Sequence, residues 1–222
     1  MTLPALTLLE TRVLGVLVEK QKTVPDTYPL SLNALVAGCS QKTSRDPVIE
    51  TSEAEVQEAI DRLRGMSLVV ESSGGRVMRY AQNVQRVLAV PSESVALLAT
   101  LMLRGPQTPG EIRINCERLH RFADISSVEN YLRELAGRSQ GALVAELARL
   151  PGSRESRWMH LFSGPAPAAA PAMQGDPKAS DTPVERRDEL AALRRDLDAL
   201  ATEVGQLREM LQRVMLDVGK RP

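Results

Sequence analysis

SEAEVQEAIDRLRG at residues 52–65 and LVVESSGGRVMRYAQ at residues 68–82 together indicate the fold of this chain. In the first stretch, Val56, Ile60 and Leu63 have the spacing of one buried helix face. In the second, two short strand patterns flank a Gly-Gly turn signal. A helix closed by such a hairpin, with two more helices ahead of it, is the winged-helix plan: a helix-turn-helix with an added wing.

The same plan recurs in the second half of the chain. The second copy has shorter loops, which are the places where a fold tolerates insertions. The chain is therefore predicted to be mainly α with small β-hairpins, as tandem winged-helix domains at residues 1–90 and 91–163. The aligned positions are Val13, Leu14, Leu17 and Lys20 with Leu97, Leu98, Leu101 and Arg104; Ser31, Leu35 and Cys39 with Thr108, Ile112 and Cys116; and Val56, Ile60 and Leu63 with Val128, Leu132 and Leu135.

Several helix starts carry the S/T-x-x-E capping box. In this box the hydroxyl accepts a hydrogen bond from a free backbone N–H, and the carboxylate reaches back to the cap residue. The predicted boxes are Thr7 with Glu10, Ser52 with Glu55, Thr108 with Glu111, and Ser126 with Glu129.

The C-terminal part has a different composition. Residues 164–183 are rich in proline and alanine and are predicted to be a semi-rigid linker. Residues 184–219 repeat apolar side chains at heptad spacing, which predicts a coiled-coil helix, and flanking charges favour a parallel homodimer. The alternative is an amphipathic helix that folds back on its own chain. The predicted dimerisation seam is Leu190, Leu193, Leu197, Leu200, Val204, Leu207, Leu211 and Val214.

Composition limits the possible partners and cellular location of the protein. The 28 basic and 28 acidic residues give a formal net charge of zero, so no global field would draw the chain onto nucleic acid. The first residues lack the apolar segment of a secretory signal, and the longest uncharged apolar run, residues 94–103, is half a membrane span. Two cysteines at equivalent places in separate copies are expected to stay reduced, so we predict a cytoplasmic protein without membrane contact.

Long motifs resemble the bacterial YceH-like family, a family of unknown function. The resemblance covers about residues 5–164, so the linker and the heptad segment lie outside it. It implies a tandem winged-helix fold in a cytoplasmic bacterial protein and supplies no substrate, cofactor or catalytic residue. The motifs are Glu19-Lys20-Gln21; Tyr28-Pro29-Leu30-Ser31 with Asn33; Gln41 to Pro47; Leu103-Arg104-Gly105; Gln107 to Glu111; Pro151 to Arg157; and Met159 to Gly164.

Double-stranded DNA is one candidate partner. The first copy's third helix is too acidic to suit major-groove docking, so positive charge on wings and loops would have to hold the phosphates. The candidate contacts are Lys42, Arg45, Arg76, Arg79, Arg149, Arg154 and Arg157. The alternative is a protein-interaction scaffold or assembly factor that uses the acidic third helices and the coiled-coil segment to bind an unidentified protein.

An enzymatic role is not expected. Cys116 and His120 are one helical turn apart, but a nucleophile also needs an orienting third group, and the neighbouring charged residues suggest a solvated face. Two cysteines in separate copies and two distant histidines do not make a zinc site, and no cofactor fingerprint is present. Trp158 is expected to pack the second wing against the helices.

Overall fold

The computed structural model of this protein describes residues 4–73, 77–149 and 155–164. These residues belong to one compact unit and are mainly helical, with small antiparallel sheets. The helices are α1 (Leu8–Thr23), α2 (Leu32–Cys39), α3 (Glu53–Gly65), α4 (Val84–Leu88), α5 (Ser92–Arg104), α6 (Pro109–Asn115) and α7 (Ile125–Ala136). The strands are β1 (Leu30–Ser31), β2 (Val69–Ser72), β3 (Arg79–Gln82), β4 (Val144–Glu146) and β5 (Trp158–His160).

The two halves of this unit have the same order of elements. In the first half, α1 to α3 are followed by the antiparallel pair β2 and β3, and β1 joins the sheet through Leu30 opposite Tyr80. In the second half, α5 to α7 are followed by β4 and β5, and Gln107 forms a bridge with Trp158. Each short bridging segment lies directly ahead of the middle helix of its half.

The apolar positions aligned in the sequence are buried in both halves. Val56, Ile60 and Leu63 on α3 have 0% relative exposure, and their counterparts on α7 have at most 2%. The counterparts on the other helices are also buried, including both cysteines. The helical spacing read from the sequence therefore identified the core faces of α3 and α7 correctly.

Local capping explains where these helices begin. Thr7, Ser52 and Thr108 each accept a hydrogen bond from the N3 backbone, and the N3 glutamate bonds back, as predicted. The fourth predicted box is wrong. α7 begins at Ile125 because Asp124 is its N-cap and accepts from the Ser127 backbone N–H at 2.7 Å. An aspartate two residues earlier provides a charged acceptor that displaces the serine.

α1 and α5 form the centre of the unit. Every residue of α1 from Glu10 to Val18 and of α5 from Ser94 to Leu103 is buried, and the apolar residues of both halves form one continuous cluster. A helix without a solvent face needs other elements around it. Here the first helices of the two halves pack against each other, so the two halves share a core. The predicted boundary between residues 90 and 91 stays a prediction.

Several predicted features lie outside the described residues. They are the turn tips of both hairpins, the linker after residue 164, and the coiled-coil segment with its dimerisation seam. Among the helices that the structure describes, none combines the length and the apolar character needed to cross a bilayer.

Candidate nucleic-acid interface

Arg45 does not belong to the exposed basic surface that the sequence suggested. Its side chain has 0% exposure. Its guanidinium forms two bonds with the Glu19 carboxylate, Nη2 to Oε2 at 2.6 Å and Nη1 to Oε1 at 3.2 Å, and Nε donates to the Gly38 carbonyl. A buried, bidentate arginine already has its anion, so proposing Arg45 as a phosphate contact was wrong.

The Glu19 carboxylate is kept ionised by this arrangement. Burial alone would raise the pKa of Glu19, but the hydrogen bonds and charge of Arg45, with a smaller effect from Lys20, lower it below its usual value. Lys20 Nζ lies 3.3 Å from the same carboxylate. The family motif residues Glu19 and Lys20 are therefore bound to the loop that contains Arg45.

Arg12 is a second buried arginine, and it has no carboxylate partner among the described residues. Its side chain donates to the carbonyls of Cys39 at 3.2 Å and Pro47 at 2.6 Å, while Nε makes no hydrogen bond there. Burial and, less strongly, the charge of Arg45 lower the pKa of Arg12. Arg12 connects α1 to the last residue of α2 and to Pro47 in the segment between α2 and α3.

The motif loop, residues 41–47, also contacts the second half. The Asp46 backbone N–H donates to the Leu103 carbonyl at 2.8 Å, and Arg104 Nη2 donates to Ser44 Oγ at 2.6 Å. The contacts of this loop are therefore structural: it fastens the first half to the end of α5. Its one other basic residue, Lys42, is exposed.

Two wing arginines are tied to the protein itself. Arg79 Nη1 donates to the carbonyls of Thr27 and Pro29, and its exposed guanidinium has no carboxylate partner among the residues that the structure describes. Arg157 donates to the Pro106 carbonyl and forms an ion pair with Glu111 at 3.0 Å. Arg157 is therefore a weaker candidate for phosphate binding than Arg79.

Of the remaining predicted contacts, Arg149 is exposed next to the end of the second wing, and Arg76 and Arg154 lie outside the described residues. The predicted set thus divides into exposed cations, which are Lys42, Arg79 and Arg149, and arginines that are engaged in the fold, which are Arg45 and Arg157.

The outer face of α3 is acidic, and its arginines are paired. Arg62 Nε lies 3.0 Å from the buried Oε1 of Glu10, and Arg64 forms ion pairs with Asp61 and Glu71. Glu53 and Glu58 are exposed on the same helix. This face would repel the phosphates of a duplex, as the sequence indicated.

The segment that joins α6 to α7 was read from the sequence as a solvated face, and here it is part of an exposed corner that carries arginines and carboxylates in equal number. We define the α6–α7 corner as Pro109 to Arg133. Its exposed side chains include four arginines and the most exposed large apolar residue of the described chain, Ile114, at 72%. The arginines are Arg113, Arg118, Arg121 and Arg133, of which Arg133 is paired with Glu129. Arginines close to apolar side chains were the sequence signal that could have identified this surface.

The Cys116 and His120 pair does not have the properties of a catalytic dyad. Burial raises the pKa of the Cys116 thiol, and its partner ring packs edge-on against Phe122 with centroids 4.6 Å apart. Burial likewise raises the pKa of Cys39 to about 12. A thiol held protonated is a poor nucleophile. Across the described residues, no group of three or more His, Cys, Asp and Glu side chains is arranged to hold a metal ion.

Trp158 lies in the second wing with 6% exposure, and its backbone bonds to Gln107 in both directions. It packs the hairpin against the helices, as predicted, and its ring is not available to stack on a base.

These features define a mainly helical protein built from two halves of like design, each closed by a small antiparallel sheet. The chain belongs to the family described as protein of unknown function, DUF480, which matches residues 6–153. It is 59% identical over 208 residues to a UPF0502 protein of Dechloromonas aromatica, covering 94% of this chain and 95% of that relative. It is 56% identical over 214 residues to a UPF0502 protein of Cupriavidus necator, covering 96% and 87%. The predicted membership of a bacterial family of unknown function is confirmed.

The similarity to relatives extends over more of the chain than residues 5–164. A UPF0502 protein of Leptothrix cholodnii is 54% identical over 219 residues, which is 96% of this chain. An alignment of that length must continue far beyond residue 164. The linker and heptad segment are therefore at least partly shared with these relatives, and are not confined to this chain.

Proposed function

We propose that this protein is a non-enzymatic binding protein with tandem winged-helix domains, and that its partner is double-stranded DNA. The repeated order of elements supports the fold assignment, since in each half a helix-turn-helix is followed by a hairpin that a short upstream segment extends. Winged helices act by contact, and function has to be argued from the surface that they present. Lys42, Arg79 and Arg149 are exposed cations on loops and wings.

Salt dependence is the test of this proposal. We expect fluorescence anisotropy with a short mixed-sequence duplex to show binding at low salt. The logarithm of the affinity should fall linearly with that of the salt concentration, by about 0.9 for each phosphate contact. Joint replacement of Lys42, Arg76, Arg149 and Arg154 with alanine should reduce the slope. Absence of binding by the intact protein at low salt would refute DNA binding.

A protein-interaction scaffold is the second candidate. The observation that favours it is the α3 face, where both arginines are neutralised and the outward carboxylates remain. An interface around apolar anchors would keep most of its affinity as salt rises, because buried apolar area is not screened. A partner that binds the carboxylates of α3 would also be salt-sensitive. Replacement of Glu53 and Glu58 with glutamine should weaken such a partner and leave DNA binding in place, which distinguishes the two.

We further propose that the protein is a parallel homodimer through the heptad segment, and that it works in the cytoplasm. Both thiols are free and buried, which supports a reducing compartment. A dimer would place two copies of each winged helix near one duplex and raise their joint affinity.

A further inference from the structure

We infer that only one half binds DNA through its third helix: the α6–α7 corner of the second half contacts the duplex, and α3 of the first half does not. This inference rests on the proposed DNA binding and assigns it to one surface. It follows from comparing equivalent positions on two helices that have the same place in their halves.

α3 and α7 expose equivalent positions, but the side chains at most of these positions differ in charge. The aligned core residues fix the register between the two helices, so each outward position of one has a counterpart on the other. On α3 these positions carry carboxylates, and on α7 they carry apolar, amide and basic groups. Three matched exposed positions differ in this way: Glu53 with Ile125, Glu58 with Asn130, and Asp61 with Arg133. At a fourth, Arg62 matches Glu134, so the signs are reversed there, but Arg62 is paired with Glu10. Only the α7 set suits the approach of a polyanion.

The charges around the start of α7 also favour phosphate. Arg113 Nη2 donates to the Ala123 carbonyl at 3.1 Å, which holds this guanidinium beside the segment that enters α7. Arg118 and Arg121 are exposed in that segment, together with Glu117. Asp124 is occupied as the N-cap, because it accepts from the backbone and the hydroxyl of Ser127.

Other carboxylates of the corner are already paired. Glu129 lies 2.8 Å from Arg133, and Glu111 lies 3.0 Å from Arg157. Their negative charge is therefore offset locally. On α3, by contrast, the only arginines are bound to acidic groups, so the outward carboxylates dominate that face.

An apolar strip runs beside the arginines. Ile125 is 45% exposed, and a Cβ built on Gly110 would lie 3.9 Å from its Cδ1, so Ile125 lies over that part of α6. Ile114 is one helical turn from Gly110 and extends the strip. In the major groove the apolar feature is the thymine methyl group, which such side chains contact. The corner thus combines phosphate-binding arginines with groups suited to a base edge.

A reciprocal exchange of surfaces tests the inference. The intact protein and two triple variants are titrated with mixed-sequence duplex. I125E/N130E/R133D gives α7 an acidic face like that of α3, and we expect it to weaken binding at least about tenfold at low salt. E53I/E58N/D61R gives α3 the residues of α7, and we expect an affinity within about threefold of the intact protein. All six positions are exposed, and circular dichroism checks that both variants remain folded.

The salt slope identifies the phosphate contacts. We expect R118A/R121A to reduce the slope by about two, since each lost phosphate contact removes about 0.9. Arg86→Ala, an exposed arginine on α4, is the matched control and should leave the slope unchanged.

The outcomes separate this inference from DNA binding itself. If the intact protein binds and the loop and wing variants lose affinity while the corner variants do not, the inference is overturned and DNA binding stands. A gain in affinity of tenfold or more for the α3 exchange would also overturn it, because α3 would then be close to the duplex. If the intact protein does not bind DNA, both proposals fail, and the apolar strip would then be a candidate surface for a protein partner.

Discussion

Gly15 on α1 lies so close to Leu103 on α5 that a Cβ on the glycine would come within 2.8 Å of the leucine Cγ. The two helices approach through a residue without a side chain. Since α1 belongs to the first half and α5 to the second, this contact is where the halves become one unit. The same leucine accepts a hydrogen bond from Asp46 in the motif loop.

Substitution of Gly15 should therefore destabilise the protein. Gly15→Ala would force the branch point of the buried Leu103 to move, at a cost of roughly 1–3 kcal/mol that exceeds the gain of about 1 kcal/mol in helix propensity. Gly65→Ala is the matched control, because nothing lies within 4 Å of its Cβ position. Urea denaturation should show a lower midpoint for Gly15→Ala and an equal or higher one for Gly65→Ala. A stabilised Gly15→Ala would contradict close packing here.

Breaking the buried ion pair between Glu19 and Arg45 should cost more than breaking an exposed one. Glu19→Gln leaves the Arg45 charge buried without a counterion, which typically costs about 3–5 kcal/mol. Glu129→Gln removes the partner of Arg133 on the surface of α7 and should change stability by less than about 1 kcal/mol. The double variant Glu19→Gln with Arg45→Met should recover part of the loss. Equal effects at the two glutamates would show that the buried pair has no special role.

His160 should make stability depend on pH. Burial lowers its pKa from 6.5 to about 4, so the folded protein keeps the ring neutral while the unfolded chain protonates below 6.5. The unfolded state therefore binds the extra proton between these pH values, and stability should fall by about 3 kcal/mol as the pH decreases through that window. His160→Leu should flatten the profile. A profile unchanged by His160→Leu would contradict this assignment.

Removal of residues 184–222 should convert the proposed dimer to a monomer, because the heptad seam supplies its interface. Light scattering should report the mass of one 183-residue chain, about two fifths of the mass of the full-length dimer. Leu197→Ser with Leu200→Ser replaces two seam leucines in the intact chain and should act in the same direction. If the truncated protein still has the mass of two chains, and the double variant keeps the mass of the intact protein, the heptad segment does not hold the chains together.

Local patterns in the sequence correctly predicted much of this fold. The capping boxes at Thr7, Ser52 and Thr108 involve groups three residues apart, so the sequence contains both partners. The buried faces of α3 and α7 follow from helical period alone. The failure at Ser126 has a local cause as well, since Asp124 competes for the same free backbone groups.

The candidate surface was harder to predict because accessibility depends on distant partners. Arg45 and Lys42 are three residues apart in one loop, and the sequence treats them as equals. In the folded chain Arg45 is buried in an ion pair with Glu19, whereas Lys42 is exposed. Arg113 lies beside the start of α7 because it donates to the Ala123 carbonyl, and this contact is not visible in the sequence.

The amino-acid order thus established the helices, the hairpins, the repeat and the family, since each depends on spacing along the chain. The fold in space decided which arginines are free and that α1 and α5 share one core. Burial and ion pairing depend on residues that are far apart in the chain. The helical period describes only neighbouring turns of one helix, so it cannot predict these contacts.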